Sequence, residues 1–432
     1  MKKSIALMAV LMLSISLIGC TGNQDDNTIT FAWWGTASRN TATYAAIAKF
    51  EEKYPQYTVE GDQYAWSGYQ ETLGNQLNRG SEADVFQVNY NWIYSMYGED
   101  YFLDLHELDL DFSVYPSEEH DPLTVNNKIL ALSVSETGYI FYFNQNVYDE
   151  AGIETLPTTW DELISAGQVI NANNANKYAV GRVDAQAASM LLFTYLSQKY
   201  QKNVINEHNE LAFSEAELVE GFYFLDDLIN NGVINITDSS PDGPSNPKWT
   251  SGNYGAVMTW NTAIAEYQDS LSVGTLVTGG MLQQHAGEAL GMYKKISMAY
   301  AVSQRVGQSD AKKEAVKTFL EFMTTDPEAV EILGVDRGVS SILSVQDILE
   351  NASTNYTDTL EWQGHFIVQE LYDYELSMDV NLYIHPYYEH ATFRKFYENI
   401  IESFLTAGKA PAIAAGQIYD GFNNYLATYM EG

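Results

Sequence analysis

Four tryptophans stand where a predicted strand ends or the following loop begins: Trp34, Trp66, Trp92 and Trp260. Ligands of open α/β sheets gather at such strand ends. Flat, rigid, amphipathic rings suit a ligand with one apolar and one hydroxylated face, and the chain is rich in them, with 31 Tyr and 8 Trp. Core packing is the alternative for each indole. Trp33 is assigned to the core because it shares the parity of Ile29 and Phe31, and Trp160 to packing at a helix start. Asn89 and Asn91 flank Tyr90 just past an apolar run, where amides can both donate to and accept from hydroxyls, or simply tolerate a tight turn. Glu136, just before Gly138, is either an acceptor for a ligand or a solvated loop carboxylate. Arg337, beside Gly338, is either a fork for hydroxyls or a carboxylate, or half of a structural ion pair.

Other chemistries lack their residues. Asp109 to Ser113 starts like a calcium loop, but Val114 stands at the sixth position where Gly is required and His120 at the twelfth where Glu is required. His385 and His390 have loose metal spacing, yet Pro386 prevents a regular helix through the pair and no third ligand is evident. There is no Gly-x-Ser-x-Gly elbow and no phosphate-cradling glycine loop. No metal or cofactor is expected.

The elements that must position these residues alternate. A strand over 28–34, a helix over 41–54 ended by Pro55, a strand over 57–63, a helix over 68–78 and a short strand over 85–88 make an α/β pattern, with a parallel sheet expected. Residues 138–144 read as an aromatic strand and 254–260 as another, separated by helices. Thr159 with Glu162, and Ser214 with Glu217, have capping-box spacing and start two of those helices. Residues 239–247 form a loop by composition, and amphipathic helices cover 311–323 and 392–405. At 432 residues and 46% hydrophobic content the chain suits two lobes.

The single Cys, Cys20, follows Leu17-Ile18-Gly19 at the end of a short apolar run that opens with Lys2 and Lys3, as in a bacterial lipoprotein signal. Residues 1–20 are then a leader with Cys20 lipidated, and 21–27 a polar linker. The mature chain is expected at the cell surface, held on the outer face of the cytoplasmic membrane by acyl chains. Its thiol is committed, so an intrachain disulfide, a thiol catalyst and a Cys-ligated metal are excluded. The formal charge of −35, or −37 once Lys2 and Lys3 leave, argues against nucleic acid and anionic lipid as partners. It also favours a neutral ligand over a charged one, with Arg337 the local exception.

Several segments resemble the extracellular solute-binding proteins of carbohydrate ABC importers, the family that includes maltose-binding protein. They are Ile29-Thr30-Phe31-Ala32-Trp33-Trp34-Gly35, Phe50-Glu51-Glu52-Lys53-Tyr54-Pro55, Asp84 through Trp92, Glu136-Thr137-Gly138-Tyr139 with Tyr142-Phe143-Asn144, Leu156 through Leu163, Gly255 through Asn261, and Phe319 through Met323. They fall in the family's order. Amides at Asn89 and Asn91 depart from its commoner pattern, in which an Asp holds one of these places.

The resemblance implies a two-lobe periplasmic-binding-protein-like fold with discontinuous lobes and a hinge. The expected lobes are 28–142 with about 303–345, and 143–302 with about 346–432. Crossings are expected near 139–144, near 300–303 and within 341–360. The implied function is a monomeric receptor, not an enzyme, that closes on a sugar, an oligosaccharide, and presents it to an ABC permease. Its ligand residues would be Trp34, Trp66, Asn89, Asn91, Trp92, Glu136, Tyr139, Trp260 and Arg337, with Trp260 facing Trp66 or Trp92. A surface glycoside hydrolase, with two carboxylates across a cleft, and a sugar sensor for a membrane kinase are the rival readings.

Overall fold

The computed structural model describes residues 26–96, 100–116, 119–206, 208–284, 294–376 and 384–430. Cys20 and the leader lie outside them. Among the described residues no helix is long and apolar enough to cross a membrane.

The α/β reading holds. Strands β1 (Thr28–Trp34), β2 (Thr58–Tyr64) and β3 (Val85–Val88) alternate with the helices Ala37–Lys53 and Tyr69–Arg79. A small ribbon of β4 (Thr124–Val125) and β5 (Lys128–Ile129) precedes the long β6 (Ala131–Asn144). β7 (Ala256–Trp260), β8 (Leu276–Gly280) and β9 (Lys294–Val302) complete the set. The main ladder runs β2-β1-β3-β9-β6-β7, with β8 also on β6.

β1 pairs in parallel with β2 and β3, as expected. The rest of the sheet corrects the expectation: β9 lies antiparallel to both β3 and β6, and β7 and β8 are antiparallel to β6. β9 enters the first sheet after a long excursion, so a local strand–helix–strand rule does not set its direction.

β6 is the shared strand. Its residues Ala131–Gly138 pair with β9, and from Tyr139 on it pairs with β7 and β8. Tyr300 and Ala301 pair with Gln87 and Phe86 inside the first sheet, and Lys294 already sits opposite Gly138. Later, Trp362 packs in the core of the first sheet while Val368, less than two turns on in the same helix Leu360–Leu376, packs in the other.

Period-2 alternation explains both faces of β1. Ile29, Phe31 and Trp33 enter one core, and Ala32 and Trp34 the other. The capping boxes at Thr159/Glu162 and Ser214/Glu217 are formed, starting the helices Trp160–Asn173 and Glu215–Asn230. Trp160 is buried and donates from Nε1 to Gln198 at 2.7 Å.

Candidate ligand cleft

A cleft of about 440 Å³ opens where β1, β3, β6, β7 and β9 come together, within the usual size of ligand sites. One wall is aromatic. Trp34 ends β1, Trp66 follows β2, and Trp92 lies on the short helix Tyr90–Met96. Trp34 and Trp92 are buried, at 6% and 4% exposure, whereas Trp66 is 55% exposed. Trp66 stacks on Trp92, centroids 5.5 Å apart and planes at 23°, and meets Trp34 edge-on at 5.0 Å. Two buried indoles therefore support a third whose face is open. Trp260, at the end of β7, comes from the other sheet. It lies edge-on to Tyr139, its register partner on β6, at 4.8 Å.

Polar groups fill the space between. Asn91 donates from Nδ2 to the Glu389 carbonyl at 3.0 Å, and the Oδ1 atoms of Asn89 and Asn91 are buried acceptors that no donor among the described residues meets. A buried unmet acceptor costs roughly 1–3 kcal/mol, so both are preset for donors such as hydroxyls. Lys295 Nζ lies 2.7 and 2.8 Å from the two oxygens of Glu389 and 4.1 Å from the Trp260 ring centroid. Burial pushes the Lys295 ammonium below its ordinary pKa, and Glu389 works against that. Arg394 Nε meets Glu398 at 3.2 Å. Arg39 donates from Nε and Nη2 to the Asp336 carbonyl at 3.0 and 2.7 Å, and its pKa is pushed down to about 10, first by burial and then by the charge of Arg337.

The structure brings six of the residues singled out in the sequence to this cleft: Trp34, Trp66, Asn89, Asn91, Trp92 and Trp260. Tyr139 lies behind Trp260. Two others are turned to structural duty. Glu136 is buried and paired with Lys294 at 2.7 Å. Arg337, 3% exposed, donates to Gln87 Oε1 and Thr43 Oγ1, and Ser135 Oγ donates to its carbonyl at 2.5 Å. Both side chains bind partners far along the chain and do not line the cleft.

Sequence reasoning missed Arg39, Gln70, Gln186, Lys295, Glu389 and Arg394, all of which line it. One signal was readable: Lys294 and Lys295 open an otherwise apolar strand, and alternation sends them to opposite faces, one to Glu136 and one to Glu389. The others sit on helices or turns with no local mark of function. Composition favours a neutral ligand; the cleft is lined by three cations, Arg39, Lys295 and Arg394, and by one acid, Glu389. His385 takes up hydrogen bonding, with Nε2 2.9 Å from Asn209 Oδ1. Among the described residues no group of three His, Asp or Glu could hold a metal ion.

Several solved proteins of this shape are described as binding proteins. A periplasmic solute binding protein of Pectobacterium atrosepticum superposes with a TM-score of 0.81 at 26% identity, over 93% of this chain and 99% of the other. An oligogalacturonide binding protein of Yersinia enterocolitica, in complex with saturated digalacturonic acid, superposes at 0.80 with 25% identity over the same shares. A Sinorhizobium fredii protein described as an amino-acid ABC transporter periplasmic-binding protein is 22% identical over 299 residues, 64% of each chain. The matches span between 45% and 64% of the length of such curated relatives. Residues 33–330, well over half of the chain, match the family described as bacterial extracellular solute-binding protein, and the chain belongs to that family.

Proposed function

We propose that this protein is a lipid-anchored extracellular receptor that binds a sugar, an oligosaccharide, in the cleft between two lobes and delivers it to an ABC import permease. The observation that carries the reading is the open face of Trp66, supported from behind by Trp92 and Trp34, in a cleft that also holds Trp260 and the unmet acceptors of Asn89 and Asn91. An exposed indole stacks on the C–H face of a sugar ring, and amides take its hydroxyls. The digalacturonic acid of the Yersinia protein supports a saccharide of this size.

The bounds expected from the sequence, 28–142 with about 303–345 and 143–302 with about 346–432, are kept with one change: the pairing of β9 with β3 and with Ala131–Gly138 favours moving 294–302 into the first lobe. Trp34, Trp66, Asn89, Asn91, Trp92 and Trp260 touch the ligand, with Tyr139 seating Trp260, while Glu136 and Arg337 shape the hinge and the loop behind. The receptor is a monomer held beside its permease by the acyl chain on Cys20; Cys20→Ala protein should be released or left unprocessed, and processed Cys20→Ala protein anchored as the unaltered protein is would remove that part of the proposal.

A thermal-unfolding screen over mono- and oligosaccharides, with free amino acids as the contrasting set, tests the function. A ligand at 100 times its Kd adds about 2.7 kcal/mol to stability. An oligosaccharide is expected to raise the midpoint by several degrees; a rise with an amino acid and with no saccharide would refute the sugar reading.

A further inference from the structure

The cations of the cleft are not equivalent. The Lys295 ammonium lies between both oxygens of Glu389, and Arg394 Nε meets Glu398. Arg39 has a neutral partner: Nε and Nη2 both donate to the main-chain carbonyl of Asp336. A guanidinium is a planar fork with two bidentate edges, and that carbonyl takes the Nε–Nη2 edge. The Nη1–Nη2 edge is left, on a residue that lines the cleft beside Trp34.

The surroundings add positive potential. Arg39 lies in the first turn of the 17-residue helix Ala37–Lys53, at the positive end of its dipole, and that turn holds no acidic residue. The helices Trp160–Asn173 and Glu215–Asn230 each place two acids in the same position. Close by is Arg337, whose guanidinium is bound by the neutral side chains of Gln87 and Thr43 and whose buried Nε meets no acceptor among the described residues. Two guanidinium groups and a helix terminus thus converge, with Asp336 and Glu266 the acids that act on Arg39. The fork is held in place: the Arg39 stem lies against Gly35, where an added Cβ would come within 2.8 Å of Arg39 Cδ. In a chain of charge −35, a local excess of cations set at a ligand cleft points to an anion that arrives with the ligand.

We infer that the Nη1–Nη2 edge of Arg39 is a carboxylate subsite, and that the saccharide is acidic, a uronate-containing oligosaccharide with one carboxylate on Arg39 and an adjoining ring on the Trp34–Trp66–Trp92 wall. The inference rests on the sugar-receptor reading. Lys295 offers no second carboxylate site, because Glu389 already neutralises it; it faces hydroxyls instead.

Calorimetric titration of the mature protein with digalacturonic acid and with its carboxyl-reduced, neutral counterpart tests this. The acid is expected to bind roughly tenfold or more tightly than the neutral form, with the difference shrinking as salt rises. In Arg39→Gln the ratio of the two affinities should fall toward one, and Arg39→Lys should keep part of it. Equal binding of the two probes by the unaltered protein, or an equal loss for both in Arg39→Gln, overturns the carboxylate subsite and leaves the sugar reading standing. Failure of both probes and of every saccharide in the thermal screen overturns the sugar reading itself, and this inference with it.

Discussion

Neighbouring tryptophans in β1 do opposite work. Trp33 is fully buried, stacks on Phe31 at 5.0 Å and donates from Nε1 to Asn40 at 2.9 Å, whereas Trp34 faces the aromatic wall of the cleft. Trp33→Ala should therefore cost on the order of 3–5 kcal/mol of stability, read as a lowered denaturant midpoint, with the cleft contacts left in place. This division was legible in the sequence, because a strand's period of two separates odd from even positions. The roles of Glu136 and Arg337 were not. Beside a glycine each looked available for a ligand, but each is claimed by a residue far away in the chain, Lys294 and Gln87, and no local spacing announces such a partner. Arg39 went unnoticed for the converse reason: a basic residue near a helix start looks like ordinary surface until the fold sets Arg337 beside it.

Among the elements, β6 and β9 concentrate ionisable groups where the chain changes sheets. Glu136 and Lys294 face each other there, Glu119 accepts from Ser133 Oγ at 2.5 Å next to Glu136, and His365 comes in from the helix Leu360–Leu376. Burial, and then the charge of Glu136, raises the Glu119 carboxyl to about 8, while burial holds His365 down to about 4. Between about pH 4.5 and 8 the folded protein keeps the Glu119 proton that the unfolded chain has lost, so this group lowers stability as pH rises. His365 acts in reverse: the unfolded chain takes up its proton below about 6.5, so its contribution is present above 6.5 and is lost as pH falls toward 4. His120 and His385, both also held at about 4 by burial, reinforce that acid limb. Stability should peak near pH 6.5 and decline toward 8. Glu119→Gln should remove the alkaline decline, on the order of 2 kcal/mol, in urea titrations at pH 6.5 and 8; parallel curves for the two proteins would contradict it. The helix starts at Thr159 and Ser214 could be read directly, since a capping box is local. The full length of β6 could not, because its first half is defined only by pairing with β9.

For the whole molecule, order along the chain carried more than any single motif. Collinear weak resemblances pointed to the two-lobe fold, and that fold is present. Net charge is an average that hides three cations, Arg39, Lys295 and Arg394, set around one cleft. Binding energy in a closing cleft is concentrated on the aromatic groups that become desolvated between the lobes. Among the described residues, Trp260 is the one such ring contributed by the second sheet, and it also covers the Lys295 ammonium at 4.1 Å. The most direct measurement is calorimetric titration of Trp260→Ala and the unaltered protein with the saccharide chosen by the thermal screen, beside their unfolding midpoints. Affinity should fall well over tenfold, about 2 kcal/mol or more, with a much smaller loss of folding stability; a variant that unfolds readily yet binds the saccharide normally would place Trp260 in the core and contradict the cleft as the sugar site.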